Sequence, residues 1–454
     1  MEPTAGNSSK YSLHVGPGFV GALCLAWSCV ATAQGLSDNI SSLSGSASVF
    51  TGITHTRTDL GESTDTNTKP GVGVSGQVGG QLESGANALV LQYGGTLQTP
   101  QDTLRNRQAS NTSVTGASRY TYFDPNSRID FNLGHTISSV RNNTGFAVNS
   151  SRYNTRNSLN AGAGLNFYPG DLSTVRFFGQ AGRSFTSGVL KNQQSYTVGS
   201  ELSRRLSERS TGGLNLSRSW SDKRNTNLTI DTAQLVYSLQ TESGSFRIGA
   251  GGSRAETEYN DGTTSKNDAV TGFAERAWVT SNWRTSVKYD RRLSDSATDL
   301  SLNLPPVFSF LPQSVRLRDL VLRDSLSLTH NTQLVCDACI LGFYVQGAQL
   351  ESQNSGTTTY QYRASANFGF QLTSLQRLDF RYTWAGDSNE NASGNNDQIH
   401  RLKASWTRQI AENTTFGVEF NQAYLRSKSI RNDKDQFEVR LVLSRGFSLA
   451  EVGR

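Results

Sequence analysis

Apolar and polar positions alternate with period two through most of the chain. From Tyr360 to Leu372 one side carries Tyr360, Tyr362, Ala364, Ala366, Phe368, Phe370 and Leu372. The other side carries Gln361, Arg363, Ser365, Asn367 and Gln371. A tight connection over 373–376 follows, and then Leu378, Phe380, Tyr382 and Trp384 alternate with Arg377, Asp379, Arg381 and Thr383. Two segments with this period read as the two strands of a hairpin. The apolar side is rich in aromatics near its ends and the other side is polar to charged. An apolar belt rimmed by Tyr, Trp and Phe suits a bilayer, and a polar opposite face suits a water-filled lumen.

The same unit recurs. Leu89, Leu91, Tyr93 and Leu97 share a face, as do Leu159, Ala161, Ala163, Leu165 and Phe167, and later Phe416, Val418, Phe420 and Tyr424. Turn chemistry separates the strands of each hairpin, as at Ser84-Gly85, Asp124-Pro-Asn-Ser127, Pro169-Gly170-Asp171 and Ala411-Glu-Asn413. Longer polar links at 58–70, 99–117, 140–155, 259–267, 295–316 and 388–397 separate one hairpin from the next. Short turns at one end and long loops at the other predict an all-β chain: a transmembrane, antiparallel, up-and-down β-barrel of about 20 strands (18–22). Both termini fall on the periplasmic, short-turn side. Segments 268–279 and 315–345 fit the alternation poorly. A β-solenoid would repeat with a fixed period, and none is present.

Composition agrees with a barrel without requiring one. The 454 residues are 35% hydrophobic, and the mean hydropathy is −0.47. A barrel needs only alternate strand residues to be apolar. No run of 18 or more apolar residues follows the N-terminal region, which excludes a helical membrane protein. Residues 1–33 read as a secretory signal peptide, with Lys10 and His14 ahead of an apolar run (Phe19 to Val30) and Ala31-Thr32-Ala33 as the cleavage site. The expected organisation is a signal at 1–33, a short periplasmic segment at 34–46, a barrel at 47–447 and a tail at 448–454. Cleavage removes Cys24 and Cys29 and leaves Cys336 and Cys339 in Cys-Asp-Ala-Cys. In an exported chain that pair reads as a disulfide clip on a turn. A redox motif lacks its βαβ surroundings and a zinc site lacks further ligands.

Candidate lumen residues lie on the polar side: Arg128, Asp130, Arg176, Arg284, Lys288, Asp290, Arg363, Arg377, Asp379, Arg381, Arg401, Lys403 and Arg440. Arginine dominates, and rings of Arg or Lys favour anions. Interleaved acids point instead to a wall of cross-strand ion pairs. The first alternating strand (Ala47 to His55) begins so early that no plug domain fits, so the lumen is either narrowed by loops or open. The candidate constriction is the Pro-rich, apolar link at 295–316, with Pro305, Pro306, Phe308, Phe310 and Pro312. Packing of that link on the barrel rim is the competing reading.

The strand from Phe437 to Phe447 alternates and ends in an aromatic, as assembly strands of outer-membrane barrels do, although Ser448 to Arg454 follows it. The expectation is no enzyme: His55, His135, His330 and His400 are scattered and no nucleophile elbow is present. The glycines at 249–252 lie in strand pattern rather than before a helix, so no cofactor or metal is expected. Forty-three Lys and Arg against 37 Asp and Glu give +6, but the charge is spread over every strand, which excludes a nucleic-acid patch.

The Arg- and Tyr-rich hairpins, Ser286-Val-Lys-Tyr-Asp-Arg-Arg-Leu-Ser-Asp-Ser296, the loop Leu304 to Pro312 and Leu322-Arg-Asp-Ser-Leu-Ser-Leu328 resemble uncharacterised outer-membrane barrels of PEP-CTERM/exosortase and exopolysaccharide systems. The resemblance implies an outer-membrane, porin-like channel or export conduit linked to surface polysaccharide or protein export. The implied partners are outer-membrane lipid, the barrel-assembly machinery, and surface polysaccharide or export proteins. The alternative is a structural barrel that anchors surface glycan without transport.

Overall fold

The computed structural model describes residues 42–59, 63–98, 112–124, 127–141, 153–186, 193–223, 226–259, 262–295, 320–333, 339–353, 356–389, 396–427 and 433–450. Among these are twenty strands. The first five are β1 (Ser42–Asp59), β2 (Thr64–Ser84), β3 (Asn87–Gln98), β4 (Thr112–Phe123) and β5 (Ile129–Arg141). Next come β6 (Tyr153–Phe167), β7 (Ser173–Thr186), β8 (Gln193–Arg205), β9 (Ser210–Lys223) and β10 (Thr226–Thr241). They are followed by β11 (Gly244–Tyr259), β12 (Thr264–Val279), β13 (Trp283–Asp295), β14 (Leu320–Thr332) and β15 (Cys339–Ser352). The last are β16 (Thr358–Thr373), β17 (Gln376–Asn389), β18 (Asn396–Ala411), β19 (Thr414–Ser427) and β20 (Asp433–Ala450).

Each strand pairs antiparallel with the next, and β20 pairs back onto β1 from Asp59↔Asp433 to Leu43↔Ala450. The sheet is therefore a closed 20-stranded up-and-down barrel in which every strand pairs with a neighbour on each side, which is how a sheet satisfies its backbone in lipid. The start of β1 and the end of β20 lie at the same end as the short turns. Gly85, with φ +53°, sits in the β2–β3 turn, and Gly170, with φ +84°, follows Pro169 in the β6–β7 turn. A side chain is disfavoured at such angles, which is why these turns carry glycine.

Register turns the alternation into two continuous surfaces. Across the last four strands Leu378, Trp406, Val418 and Leu441 lie side by side, and Leu441 continues to Thr51 of β1. Large apolar side chains on this surface stay exposed, among them Val49, Leu165, Leu235, Phe380 and Leu443. This is the outer, lipid-facing surface. The opposite surface is concave, so its side chains reach across strands: Arg440 of β20 bonds Gln98 of β3 at 3.2 Å, past β1 and β2.

Several boundaries differ from the sequence reading. The links at 58–70, 259–267 and 388–397 are strand at their ends, because β1 runs to Asp59, β2 starts at Thr64, β11 runs to Tyr259, β12 starts at Thr264, β17 runs to Asn389 and β18 starts at Asn396. Polar residues above the apolar belt still pair as strands where the barrel rises beyond the membrane. For the same reason β1 begins at Ser42 and β20 ends at Ala450, beyond the 47–447 read from the apolar alternation. Segment 268–279 is ordinary strand within β12. Its pattern is mixed because Phe273 faces inward under Arg247, 5.6 Å away, while Arg276 faces outward against Trp278 at 5.4 Å. Residues 1–41, which include the expected signal peptide and most of the expected periplasmic segment, lie outside the described residues.

Candidate functional site

The lumen wall is built by the inward residue of each pair, and every strand-borne candidate falls on it. Arg176 of β7 bonds Asp130 of β5 at 2.7 and 3.0 Å and reaches Glu201 of β8 at 3.5 Å. Arg377 pairs with Asp379 at 2.8 Å, Lys403 with Glu419 at 3.3 Å and Arg440 with Glu438 at 2.7 Å. Asp290 takes Arg292 at 3.4 Å. Arg284, Lys288, Arg381 and Arg401 share the inward face by register. Arg363 is inward and only 8% exposed, beside Gln346 and Ala385. Arg128 departs from the expectation. It sits in the exposed bend before β5, where its carbonyl takes the Asn166 amide at 2.6 Å, so it belongs to the short-turn rim rather than the wall.

Arg176, Arg377, Arg440 and Lys403 therefore each face a carboxylate, which cancels part of the one-signed field that an anion ring would need. The Arg176–Asp130 pair is the best placed, with side chains 26% and 15% exposed. A double-mutant cycle with Arg176→Ala and Asp130→Asn, read by denaturant unfolding in lipid, should give a coupling of about 1–2 kcal/mol. Coupling below about 0.3 kcal/mol would place the pair with ordinary solvated ion pairs.

Two features of the lumen were missed in the sequence. The first is an asymmetry. From β13 to β20 the wall is charged, whereas β6 to β9 present Ser158, Asn160, Gln180, Ser184, Thr197 and Asn215 between the Arg176 cluster and Arg156. Hydroxyls and amides bridge there: Thr197 with Ser219 at 3.0 Å, Gln193 to Ser221 at 2.9 Å and Arg156 to Ser184 at 3.1 Å. Serine, threonine and asparagine at alternate positions are the signal, visible only when strands are laid side by side.

The second is a buried apolar cluster at the long-loop end. Pairing of β12 with β13 stops at Gly272↔Arg291, and the rest of β13 parts from β12 while it stays paired with β14 to Asp295↔Leu320 and β14 stays paired with β15 to Val321↔Ser352. Leu293, Leu320 and Leu322 are buried and pack with Leu228 and Ala255 on the inner faces of β10 and β11, with Ile230 and Ala269 at the edge. Across the lumen, Ala385, Ile399 and Leu425 form a second buried apolar cluster on the inner faces of β17, β18 and β19. Burying a leucine stabilises by about 1.5–3 kcal/mol, so an inward-folded hairpin end with three of them is held firmly. The candidate constriction residues Pro305, Pro306, Phe308, Phe310 and Pro312 lie outside the described residues. Both strand ends that bracket the link carry leucines packed on inner-face residues of β10 and β11.

The four histidines named in the sequence lie on the outer face. His400 sits between Tyr382, Trp384 and Tyr424, His135 stacks on Tyr93, and His330 lies beside Trp283. They extend the aromatic girdles rather than meeting at one centre. Among the described residues no group of three His, Cys, Asp or Glu is placed to hold a metal. Cys339 opens β15 and is disulfide-bonded. Cys336 lies outside the described residues.

No protein-family model matches the chain, and no curated protein matches it. Solved structures do. The FrpB iron transporter of Neisseria meningitidis aligns over 91% of this chain and 84% of its own, at 9% identity and a TM-score of 0.47. OpdO of Pseudomonas aeruginosa covers 91% of this chain and 99% of its own, at 14% identity and a TM-score of 0.38. OpdK of the same organism, solved with vanillate, covers 89% and 98%, at 10% identity and a TM-score of 0.39. At this level the likeness is one of barrel architecture and says nothing of the solute.

Proposed function

We propose that the chain is a porin-like channel of the bacterial outer membrane that passes hydroxylated solutes of the surface-polysaccharide class, gated at its long-loop end. The carrying observation is the asymmetric lumen. An uncharged arc of hydroxyls and amides on β6 to β9 offers both donors and acceptors to sugar hydroxyls, at a net cost of little desolvation. The opposite, charged arc keeps the lumen wetted. The outer apolar surface supports the membrane setting, and the polysaccharide link rests on the loose resemblance of the hairpins. Neutral solutes fit this wall better than a strong anion preference, since Arg176, Arg377, Lys403 and Arg440 are each held by a carboxylate.

Planar-bilayer recording of the purified full chain tests the proposal. The expected result is stepwise current that neutral oligosaccharides block, with the block weakened about fivefold by Asn160→Leu or Gln180→Leu, the loss of about one hydrogen bond each. Absence of any pore current in correctly folded protein would contradict it. The buried clusters at the lumen's outer half favour one other reading, a closed barrel that anchors surface glycan or a partner through its loops. That barrel would carry no current yet retain glycan at the cell surface.

A further inference from the structure

The seam between β12 and β13 has a construction that lumenal conduction does not use. Beyond Gly272↔Arg291, β12 keeps its pairing with β11 as far as Glu258↔Thr264, and β13 keeps its pairing with β14 as far as Asp295↔Leu320. Between the two, the β12 edge from Thr264 to Thr271 has no strand beside it among the described residues. A side-chain hydrogen bond spans the gap at its base, and apolar packing spans it on the inner side. Arg291 Nε donates to the Val270 carbonyl at 3.1 Å, a side chain standing where a ladder bond would be. The same guanidinium is held by Asp324 at 3.0 and 3.1 Å, and Asp324 also accepts the Tyr289 hydroxyl at 2.7 Å.

Apolar surfaces meet this seam from both sides of the wall. Outside, a groove of about 1030 Å³ is floored by Ala233 and Gly252, flanked by Leu216 and Val270. The floor is low because two short residues pair there between bulkier neighbours. Along its upper rim the charges alternate, Arg218 to Asp231 at 2.5 Å and Arg254 to Asp268 at 2.7 Å. Inside lies the cluster of Leu228, Ala255, Leu293, Leu320 and Leu322. The two surfaces are one residue apart: Val270, 73% exposed, lines the groove, and Ala269 touches the inner cluster. The β4–β5 pairing also ends early, at Gly116↔Ile137, but no buried apolar cluster among the described residues adjoins it.

We propose that the β12–β13 seam is a lateral portal, latched by Arg291, through which the apolar chain of a single-chain amphiphile passes from the outer leaflet to the apolar side of the lumen. The polar head rests at the alternating rim, whose mixed charge serves a zwitterionic or hydroxylated head as well as an anionic one. The chain lies in the groove and follows Val270 inward. At its base the latch is a side chain rather than a run of ladder bonds, so the seam opens by breaking the contacts of one guanidinium and parting Leu293, Leu320 and Leu322 from Leu228, Ala255 and Ala269, while the β11–β12 and β13–β14 pairings stay intact. This path goes through the wall, and it holds or fails independently of sugar passage along the lumen.

Photolabelling of the full chain in lipid vesicles tests it. The probe is a saturated fatty acid with a diazirine at its methyl end, and adducts are located by peptide mass spectrometry. Adducts at Leu293, Leu320 or Leu322 are expected in the unaltered chain. Arg291→Ala should raise them about tenfold, the effect of losing charge-assisted hydrogen bonds, and Asp324→Asn should act in the same direction. Adducts confined to outer positions such as Leu216 and Val270 in all three proteins would overturn the proposal. If a variant fails to fold, judged by heat-modifiable mobility, the adduct positions in the unaltered chain decide alone.

Discussion

Ala404→Arg should lower the stability of the barrel in lipid by about 2–4 kcal/mol, whereas Ser405→Arg should change it by no more than about 1 kcal/mol. The two residues are neighbours on β18 and differ in the face they occupy. Ala404 lies between Phe380 of β17 and Phe420 of β19 on the outer surface, in the middle of the apolar belt. A guanidinium there meets hydrocarbon on all sides, and the aromatic neighbours offer it no hydrogen bond. Ser405 lies between Asp379 and Glu419 on the lumen side, where an added arginine finds carboxylates and water. Urea unfolding in lipid vesicles, followed by tryptophan fluorescence, reads both. Equal losses in the two variants would mean that the faces are not as different as the register makes them.

The second large effect concerns the closure. Leu293 and Leu322 are opposite each other in the β13–β14 register, and they are 6% and 7% exposed. Replacing either by serine removes about 2–3 kcal/mol of packing from the inward-folded hairpin end, a shift of about 30- to 150-fold in the ratio of closed to open. The channel carrying Leu293→Ser should therefore dwell mostly in a higher-conductance state, and Leu322→Ser should do the same. Both chains should keep the heat-modifiable mobility of the folded barrel, because the β13–β14 and β14–β15 backbone pairings do not depend on these side chains. Unchanged conductance in both would show that the inward-leaning ends do not limit flow.

The fold was legible because its rule is local. Phe416, Val418, Phe420 and Tyr424 name their face without knowledge of any partner strand, and the turn residues around Gly85 and Gly170 mark where one strand gives way to the next. The ends of strands were harder to read. Above the apolar belt, residues such as Thr56, Asn67 and Ser388 are polar on both faces, so alternation vanishes although the pairing continues. That is why polar stretches of β1, β2 and β17 look like loops.

The site was legible only in part. Inward parity identified Arg176, Arg377, Lys403 and Arg440, but their neutralisation depends on which acid lies on the adjacent strand or two positions along, as with Glu201 and Glu438. Register is not a property of one segment. Outward charges were missed for a related reason: Arg218 and Asp231 share parity with Leu216 and Ala233 and become a ladder only when β9 meets β10. The parting of β13 from β12 is a tertiary event. In the sequence, Leu293 continues the outward series of Val287 and Tyr289, and only the arrested pairing at Arg291 shows that it turns onto the inner face of β11.

The division between a lipid face and a water face is the claim on which the channel, the closure and the portal all depend. It is tested most directly by single nitroxide labels placed in turn at residues 402 to 406 of β18 in lipid vesicles. Collision with oxygen, which concentrates in lipid, should peak at 402, 404 and 406, and collision with a water-soluble nickel chelate should peak at 403 and 405. A flat profile, or one that drifts without the two-residue period, would contradict the account.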